Sequence, residues 1–510
     1  MVLKVTDDKK FLQIVESTAN EYEQLEYSMT KKVDNYFIIK KKVPHWDGDV
    51  KFMDRWGRIP IGMWMEIKKV CTKFHFPLSI NGMDSMIDDK FDASTFKIWA
   101  TEYFSASKIT PRDYQLEGAA RVIKFKNCTE EISTSGGKTL IAFLIFKYLH
   151  DVLNKPKMLY VVPNVGLVTQ SEEKFYEYED GCDKRPNWKS VCAFGGAKKR
   201  DDETDIDIVF GTYQTLSKKG LEYFAQFDAV CVDETHHAKA NSIKSILVKC
   251  FNAEYKFGLT GTLPKEDSCD SFTIQSYLGP KVYTIHSSDL IDAGNATPIE
   301  VIGLEFSYLE NNIKKKLYDL RNVPAEDKDG AKLLNLEKDV ARESRKRFNY
   351  IVDMISKTTK NSLVLFSDIK NNYGRTIYNW IKENTDKSVY YIDGGTGADN
   401  RDYYKKQMED NNDVIIVASI GTFSEGIDIL NLHTIFVVES YKSDFIVRQV
   451  LGRGMRLMSG KEKVIVIDFF DNYEFGSGYQ RKNYLMRHAD ARRDIYAEKR
   501  FPYKRFKIQL

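Results

Sequence analysis

Cysteine is scarce and scattered: seven in 510 residues, with no C-x-x-C pair and no clustering with the eight histidines. That excludes a disulfide framework, argues against a structural zinc site and points to a reducing, cytoplasmic setting. Long apolar runs are also missing. The longest, such as Leu140–Phe146 and Val414–Ala418, fall far below the roughly 18 residues a membrane span requires. Charged residues begin within Met1–Lys10, so no secretory h-region is expected there. Repeats of solenoid period and low-complexity tracts are absent, which excludes stacked-repeat architectures.

What is present is ordinary globular material: 42% hydrophobic and 29% charged residues, in a chain about threefold longer than one domain on a prior of roughly 100–200 residues. The net charge of +3 hides an asymmetry. Residues 481–510 hold ten basic and three acidic residues, a net +7 that leaves −4 for the other 480. A basic tail on a near-neutral body fits a polyanion contact, and equally a solvated C-terminal helix.

From Ile132 onward the chain repeats one unit, a short β-branched run ending in small, polar or acidic residues and followed by an amphipathic segment. The runs are Met158–Val162, Asp207–Phe210, Ala229–Val232, Ser362–Phe366, Val389–Ile392, Val414–Ala418, Thr434–Val438 and Lys463–Asp468. Wholly apolar strands alternating with helices predict an α/β fold of parallel sheets covered on both faces, too many strands for one sheet. Gly294 and Pro298 punctuate a polar stretch that places a boundary near residue 290. The expected organisation is a small α+β region over 1–105, lobes over 106–290 and 291–475, and a basic helical extension over 476–510.

Ligand chemistry in such folds gathers at the carboxyl ends of the strands. Ile132-Ser133-Thr134-Ser135-Gly136-Gly137-Lys138-Thr139 joins a short apolar strand to the helical run Leu140–Leu149. Ser135, Gly136 and Gly137 let backbone N–H groups approach phosphates at a helix N-terminus. Lys138 is placed for the β/γ-phosphates of ATP and Thr139 for Mg²⁺. Ile132 stands where the strict pattern has glycine. A structural glycine turn is the plainer alternative, and the strand–GGKT–helix context argues against it.

About a hundred residues later, Ala229–Val232 ends in Asp233-Glu234-Thr235-His236. Asp233 suits a Mg²⁺ ligand, Glu234 a group that orients or deprotonates the attacking water, and His236 a reader of the γ-phosphate. Alone, an Asp-Glu pair is as often a helix cap. In the second lobe, Gln449-Val450-Leu451-Gly452-Arg453-Gly454-Met455-Arg456 sets two arginines three residues apart. Guanidinium groups suit phosphoryl-transfer charge; a basic helix face in water explains the arginines but not the glycines. Upstream, Ser419 leads to Gly426 and Asp428, where small residues admit a phosphate and Asp428 can accept from a ribose hydroxyl.

Taken in order, these motifs resemble a superfamily-two helicase of the DExH kind. Pro111–Gln115 looks like the adenine-reading Q element, Val162–Gln170 motif Ia, Gly211–Thr215 motif Ib, and Leu259-Thr260-Gly261-Thr262 motif III. Leu365–Ser367 resembles motif IV, Ser419–Asp428 motif V and Gln449–Arg456 motif VI. The set spans about 350 residues. The resemblance implies two RecA-like lobes that hydrolyse ATP with Lys138, Asp233, Glu234, Arg453 and Arg456. Gln115 would bind nucleotide, and His236, Thr260, Thr262 and Gln449 would couple hydrolysis to movement. Thr212, Ser367 and Ser419 would contact nucleic acid.

Pro44–Gly48, the serine-containing P-loop and Asn483–His488 look most like the phage recombination and repair helicases. These imply an N-terminal DNA-binding domain, branch migration, unwinding of forks, junctions and R-loops, and annealing. They also imply a monomer in the host cytoplasm, working with a recombination or single-strand-binding protein. Lys40, Lys41 and Lys42 before Trp46, and Arg55-Trp56-Gly57-Arg58 after it, interleave cations and aromatics as nucleic-acid binders do. Tryptophans filling a small core are the plainer alternative. Among rivals, an RNA helicase shares the motor, and RNA in hybrids remains a substrate. A restriction-system motor would need a nuclease carboxylate cluster, and a non-hydrolysing clamp would lack Glu234 or an arginine.

Overall fold

The computed structural model describes residues 1–33, 36, 43, 45–182, 186–195, 206–236, 241–309, 330–367, 371–424, 429–441, 444–473 and 482–510. Two units divide the chain, Met1–Ile285 and His286–Leu510. No described helix is long and apolar enough to cross a membrane.

The first unit opens with short strands: β1 (Val2–Val5), β2 (Phe11–Glu16), β3 (Thr30–Lys32), β4 (Asp49–Lys51), β5 (Arg58–Pro60) and β6 (Ser79–Asn81). They form a four-stranded sheet, β5-β2-β1-β6, and a β3-β4 pair. Their core is not private. Phe52, Met63, Trp64 and Met86 share one cluster with Cys269 and Phe272 of the following lobe. Phe52 meets Phe272 edge-on at 5.5 Å, and Trp64 stacks on Phe125 at 6.5 Å. The helix Ala93–Tyr103, assigned from sequence to the N-terminal region, belongs to the lobe's own core. Its Phe96, Ala100 and Tyr103 pack with Phe143 and Tyr148, because its aromatic face matches the apolar P-loop helix.

Seven parallel strands build the first lobe: β7 (Asn127–Ile132), β8 (Met158–Val162), β9 (Ser190–Ala193), β10 (Ile208–Thr212), β11 (Ala229–Asp233), β12 (Tyr255–Thr260) and β13 (Lys281–Ile285). Their order is β13-β7-β12-β11-β8-β10-β9. The central β8, β10 and β11 are buried along their whole length, which is why they read as unbroken apolar runs. The helix Lys138–Asp151 is buried from Leu140 to Leu149, as an all-round apolar helix must be.

The second unit repeats the design with β14 (Ile299–Ser307), β15 (Ser362–Phe366), β16 (Ser388–Ile392), β17 (Val414–Ser419), β18 (Thr434–Val437), β19 (Val464–Asn472) and β20 (Tyr503–Gln509). All seven are parallel, in the order β16-β17-β15-β18-β19-β14-β20. The basic C-terminal segment does form a helix, Tyr484–Glu498, but the chain then continues into β20 at the sheet edge. Some of its positive charge is paired within the fold. Arg492 is fully buried against Asp468 at 2.8 Å, Lys504 pairs with Glu300, and Arg505 with Glu305. Arg492 is therefore part of the fold's interior, whereas Lys504 stays exposed beside its carboxylate.

Candidate functional site

Strand order decides what meets at the carboxyl edge of the first sheet. β7 ends in the P-loop, β11 in Asp233-Glu234, and β12 lies between them and ends in Thr260-Gly261-Thr262. The P-loop and two segments about a hundred residues further along become neighbours through pairing alone.

The P-loop is held from below. Gln115 Nε2 and Tyr114 Oη each donate to Gly136 O at 3.0 Å, while Gln115 Oε1 accepts from Arg112 N at 2.9 Å. The Gln115 amide is engaged on both sides and ties the helix Asp113–Phe125 to the loop. Gly137 sits at φ +79°, so a larger residue would be strained there, and its Cβ, 2.2 Å from Gln115 Nε2, would push that amide off Gly136 O. Ser135 (φ 71°) and Glu234 (φ 51°) also hold left-handed backbone, a strain of about 1–3 kcal/mol each that tends to gather at functional sites.

Lys138, first residue of its helix, reaches Glu234 Oε1 at 3.2 Å, and both side chains are largely buried. Asp233 is buried, accepts from Tyr160 Oη at 3.0 Å and from Glu234 N at 2.9 Å. Burial raises its pKa, the Glu234 charge adds to the rise, and the Lys138 charge opposes it. From Glu234 the contacts run on: His236 Nδ1 lies 3.4 Å from Glu234 Oε2 and 3.1 Å from Thr260 Oγ1. Thr260 Oγ1 donates to Thr262 O at 3.0 Å and accepts from Thr262 N at 3.2 Å. Sequence reasoning missed Tyr114 and Tyr160. Tyr114 was visible inside the Q element, but Tyr160 is a strand aromatic with nothing to separate it from core.

The other expected residues lie as follows. Thr212 and Ser419 are buried, with side-chain bonds to Thr215 and Thr422. Ser367 donates its N–H and hydroxyl to Glu439, which also accepts from Arg342. In the second unit the helix Asp444–Gly454 ends between the two arginines. Arg453 is in its last turn, whereas Arg456 lies beyond its end. Gly452 and Gly454 weaken the helix there, and Lys461 Nζ caps the carbonyls of Gly454 and Arg456. Thr139 is half-buried beside Lys138, Trp46 is half-buried, and Arg55 is exposed with its guanidinium 4.1 Å over the exposed Trp56 ring. Lys40, Lys41, Lys42, Gly426 and Asp428 lie outside the described residues, as does the side chain of Gln449.

Residues 108–265 match the family described as "Type III restriction enzyme, res subunit", and residues 346–458 match "Helicase conserved C-terminal domain". The chain is 28% identical to the "ATP-dependent DNA helicase uvsW" of Enterobacteria phage T4 over 96% of both chains. It is 27% identical to the "DNA 3'-5' translocase XPB2" of Sulfurisphaera tokodaii, over 70% of this chain and 80% of that one. Its fold resembles that of S. cerevisiae Dbp5 bound to RNA and ADP BeF3, at a TM-score of 0.51 and 13% identity over 83% of this chain and 96% of that one. Motif order along the chain and these matches agree: the chain belongs to the superfamily-two helicases, ATP-driven enzymes of the DExH kind.

Proposed function

We propose that this chain is a DNA motor that remodels branched substrates, moving forks, four-way junctions and R-loops at the expense of ATP. The observation that carries the reading is the run of contacts Lys138–Glu234–His236–Thr260–Thr262. A γ-phosphate competes with Glu234 for the Lys138 ammonium, so binding frees the carboxylate to orient water. His236 and Thr260 touch that same carboxylate side and carry its state into the Thr-Gly-Thr turn. Arg453 and Arg456 are proposed to stabilise the transition-state charge.

The residues fit a Mg²⁺ ion. Among the described residues no cluster of three or more His, Cys, Asp or Glu could cage a metal, whereas Mg²⁺ is commonly held by one or two carboxylates plus substrate phosphates. Thr139 and Asp233 would hold it, and when bound it neutralises charge on the phosphates. Asp233 is kept in place by Tyr160 and by its neighbour's backbone N–H.

Full-length similarity to a phage DNA helicase supports DNA over RNA as the substrate. The test is an ATPase and strand-displacement panel over single strands, duplexes, forks, four-way junctions, R-loops and RNA duplexes. Forks and junctions should stimulate most, with Lys138→Ala inactive throughout. Stimulation by RNA duplexes alone would replace this reading with an RNA helicase.

A further inference from the structure

Far from the P-loop, the first unit holds a second concavity. It lies at the amino-terminal ends of β7 and β12, the opposite sheet edge from the nucleotide site, where the N-terminal strands pack on the lobe. The cavity is about 920 Å³, within the size range of ligand sites. Its walls are fixed, since Phe52, Phe272 and their neighbours form one continuous core.

Seven basic and three acidic side chains line it, and the acids are already engaged. Asp54 pairs with Arg58, Glu254 with Lys126 and Lys155, and Asp8 accepts from Thr6 Oγ1 and Lys10 N. Lys51 reaches out to Glu26. Lys9, Lys10, Lys244 and Lys256 remain, with no carboxylate in ion-pair range among the described residues. Lys256 is half-buried. Burial holds its pKa below the ordinary value, and the Lys10 charge pushes the same way. The Lys10 and Lys256 charges disfavour one another, with Asp8 beside Lys10 as a partial counter-charge, and a phosphate between them would relieve both.

Apolar surface accompanies the charge. Phe251 is 44% exposed and Val248 57% exposed on the wall. The Arg58 guanidinium lies 5.3 Å over the Phe11 ring, which lines the cavity, and 4.8 Å over exposed Trp56. Arg58 covers one face of Phe11, so the exposed Phe251 ring is the freer surface for a base, and cations interleaved with aromatics are what binders of single strands present.

We infer that this cavity is a second nucleic-acid site, which takes a single-stranded segment by its phosphates at Lys10, Lys244 and Lys256 and by its bases at Phe11 and Phe251. The inference rests on the functional reading above only in taking the ligand as a strand rather than a free nucleotide. A motor holding one strand of a branch here, on the rear edge of its first lobe, keeps that strand away from the ATP edge.

The test uses the full chain and a 12-nucleotide oligo-dT carrying 5-iodo-deoxyuridine. Irradiation should crosslink Phe11 or Phe251, identified by peptide mass spectrometry, and millimolar dTMP should not compete. Lys10→Ala with Lys244→Ala should weaken oligonucleotide binding about tenfold and lower the slope of log affinity against log salt by about 1.4, two contacts at roughly 0.7 each. Crosslinks only elsewhere with an unchanged slope overturn the inference, and so does competition by dTMP, which would make the ligand a mononucleotide. If no nucleic acid stimulates ATP hydrolysis, the functional reading fails instead, whatever the crosslinks show.

Discussion

Glu130 sits in the middle of β7, two residues before the strand ends, and is fully buried. Neither carboxyl oxygen has a hydrogen-bond partner among the described residues, and a Cβ on Gly118 would lie 2.9 Å from Oε2. Burial pushes its pKa from the usual 4.5 to about 8; the Arg121 charge opposes the rise and the Glu117 charge adds to it. A carboxyl whose folded pKa is raised is most favourable below the unfolded value and loses stability as pH climbs to the folded one. The loss is about 1.4 kcal/mol per pH unit between roughly 4.5 and 8, or on the order of 5 kcal/mol in full. Glu130→Gln keeps the shape and cannot ionise. Relative to the parent it should gain stability steadily from pH 5 to 8 and level off above. Five of the six tryptophans lie in the first unit, so urea denaturation followed by tryptophan fluorescence reports on the right part of the chain. A stability difference that stays constant from pH 5 to 9 would falsify the account, because a neutral or solvated Glu130 gives no slope.

Three further outcomes follow from the site and the core. Lys138→Ala should lower nucleotide affinity, whereas Glu234→Gln should bind nucleotide normally and stop turnover; normal turnover in either, read by phosphate release, removes the site assignment. Arg453→Ala should cost rate far more than nucleotide affinity, and a raised dissociation constant with unchanged maximal rate would make it a ground-state binder. Arg347→Ala removes a fully buried partner of Asp471 at 2.8 Å, to which Tyr308 also donates. It should destabilise by about 3–5 kcal/mol, and a loss below about 1 kcal/mol in urea melts would show that water reaches Asp471.

Central strands were legible because burial on both faces leaves an unbroken apolar run, as in β8, β11, β15 and β17. Of the edge strands, β16 was legible as Val389–Ile392, but β13 and β20 were not. β13 is half-buried throughout, and β20, Tyr-Lys-Arg-Phe-Lys-Ile-Gln, reads as basic tail because its charges blunt an open edge. The catalytic motifs were legible since their chemistry demands particular residues beside a turn. Their supports were hidden: Gln115 on Gly136 and Arg492 on Asp468 depend on partners that only the fold brings near. Trp56 shows a further limit. Composition could not separate a core tryptophan from a surface one, and the chain leaves it 57% exposed.

The N-terminal region shows the same limit with a sharper consequence. Its composition suggested a separate α+β region ending at residue 105, yet Phe96, Ala100, Tyr103 and Phe104 are part of the first lobe's core. Phe96 is fully buried, with its ring 5.1 Å from Tyr148, and losing that side chain by itself costs about 3–5 kcal/mol. Removing residues 1–105 takes all four away and uncovers Phe143, where Tyr103 and Phe104 pack. Removing residues 1–90 keeps the helix Ala93–Tyr103 and its Asp92 cap, but strips the cover from Phe272 and Cys269. The shorter chain should therefore be insoluble or unfolded, and the longer one folded but prone to associate through the Phe272 face. Replacing Phe272 by a polar residue in the 91–510 chain should reduce that association. Soluble yield, circular dichroism and light scattering on the three chains decide it. If the 106–510 chain folds as well as the 91–510 chain, the helix is dispensable packing, and the boundary belongs at 105 after all.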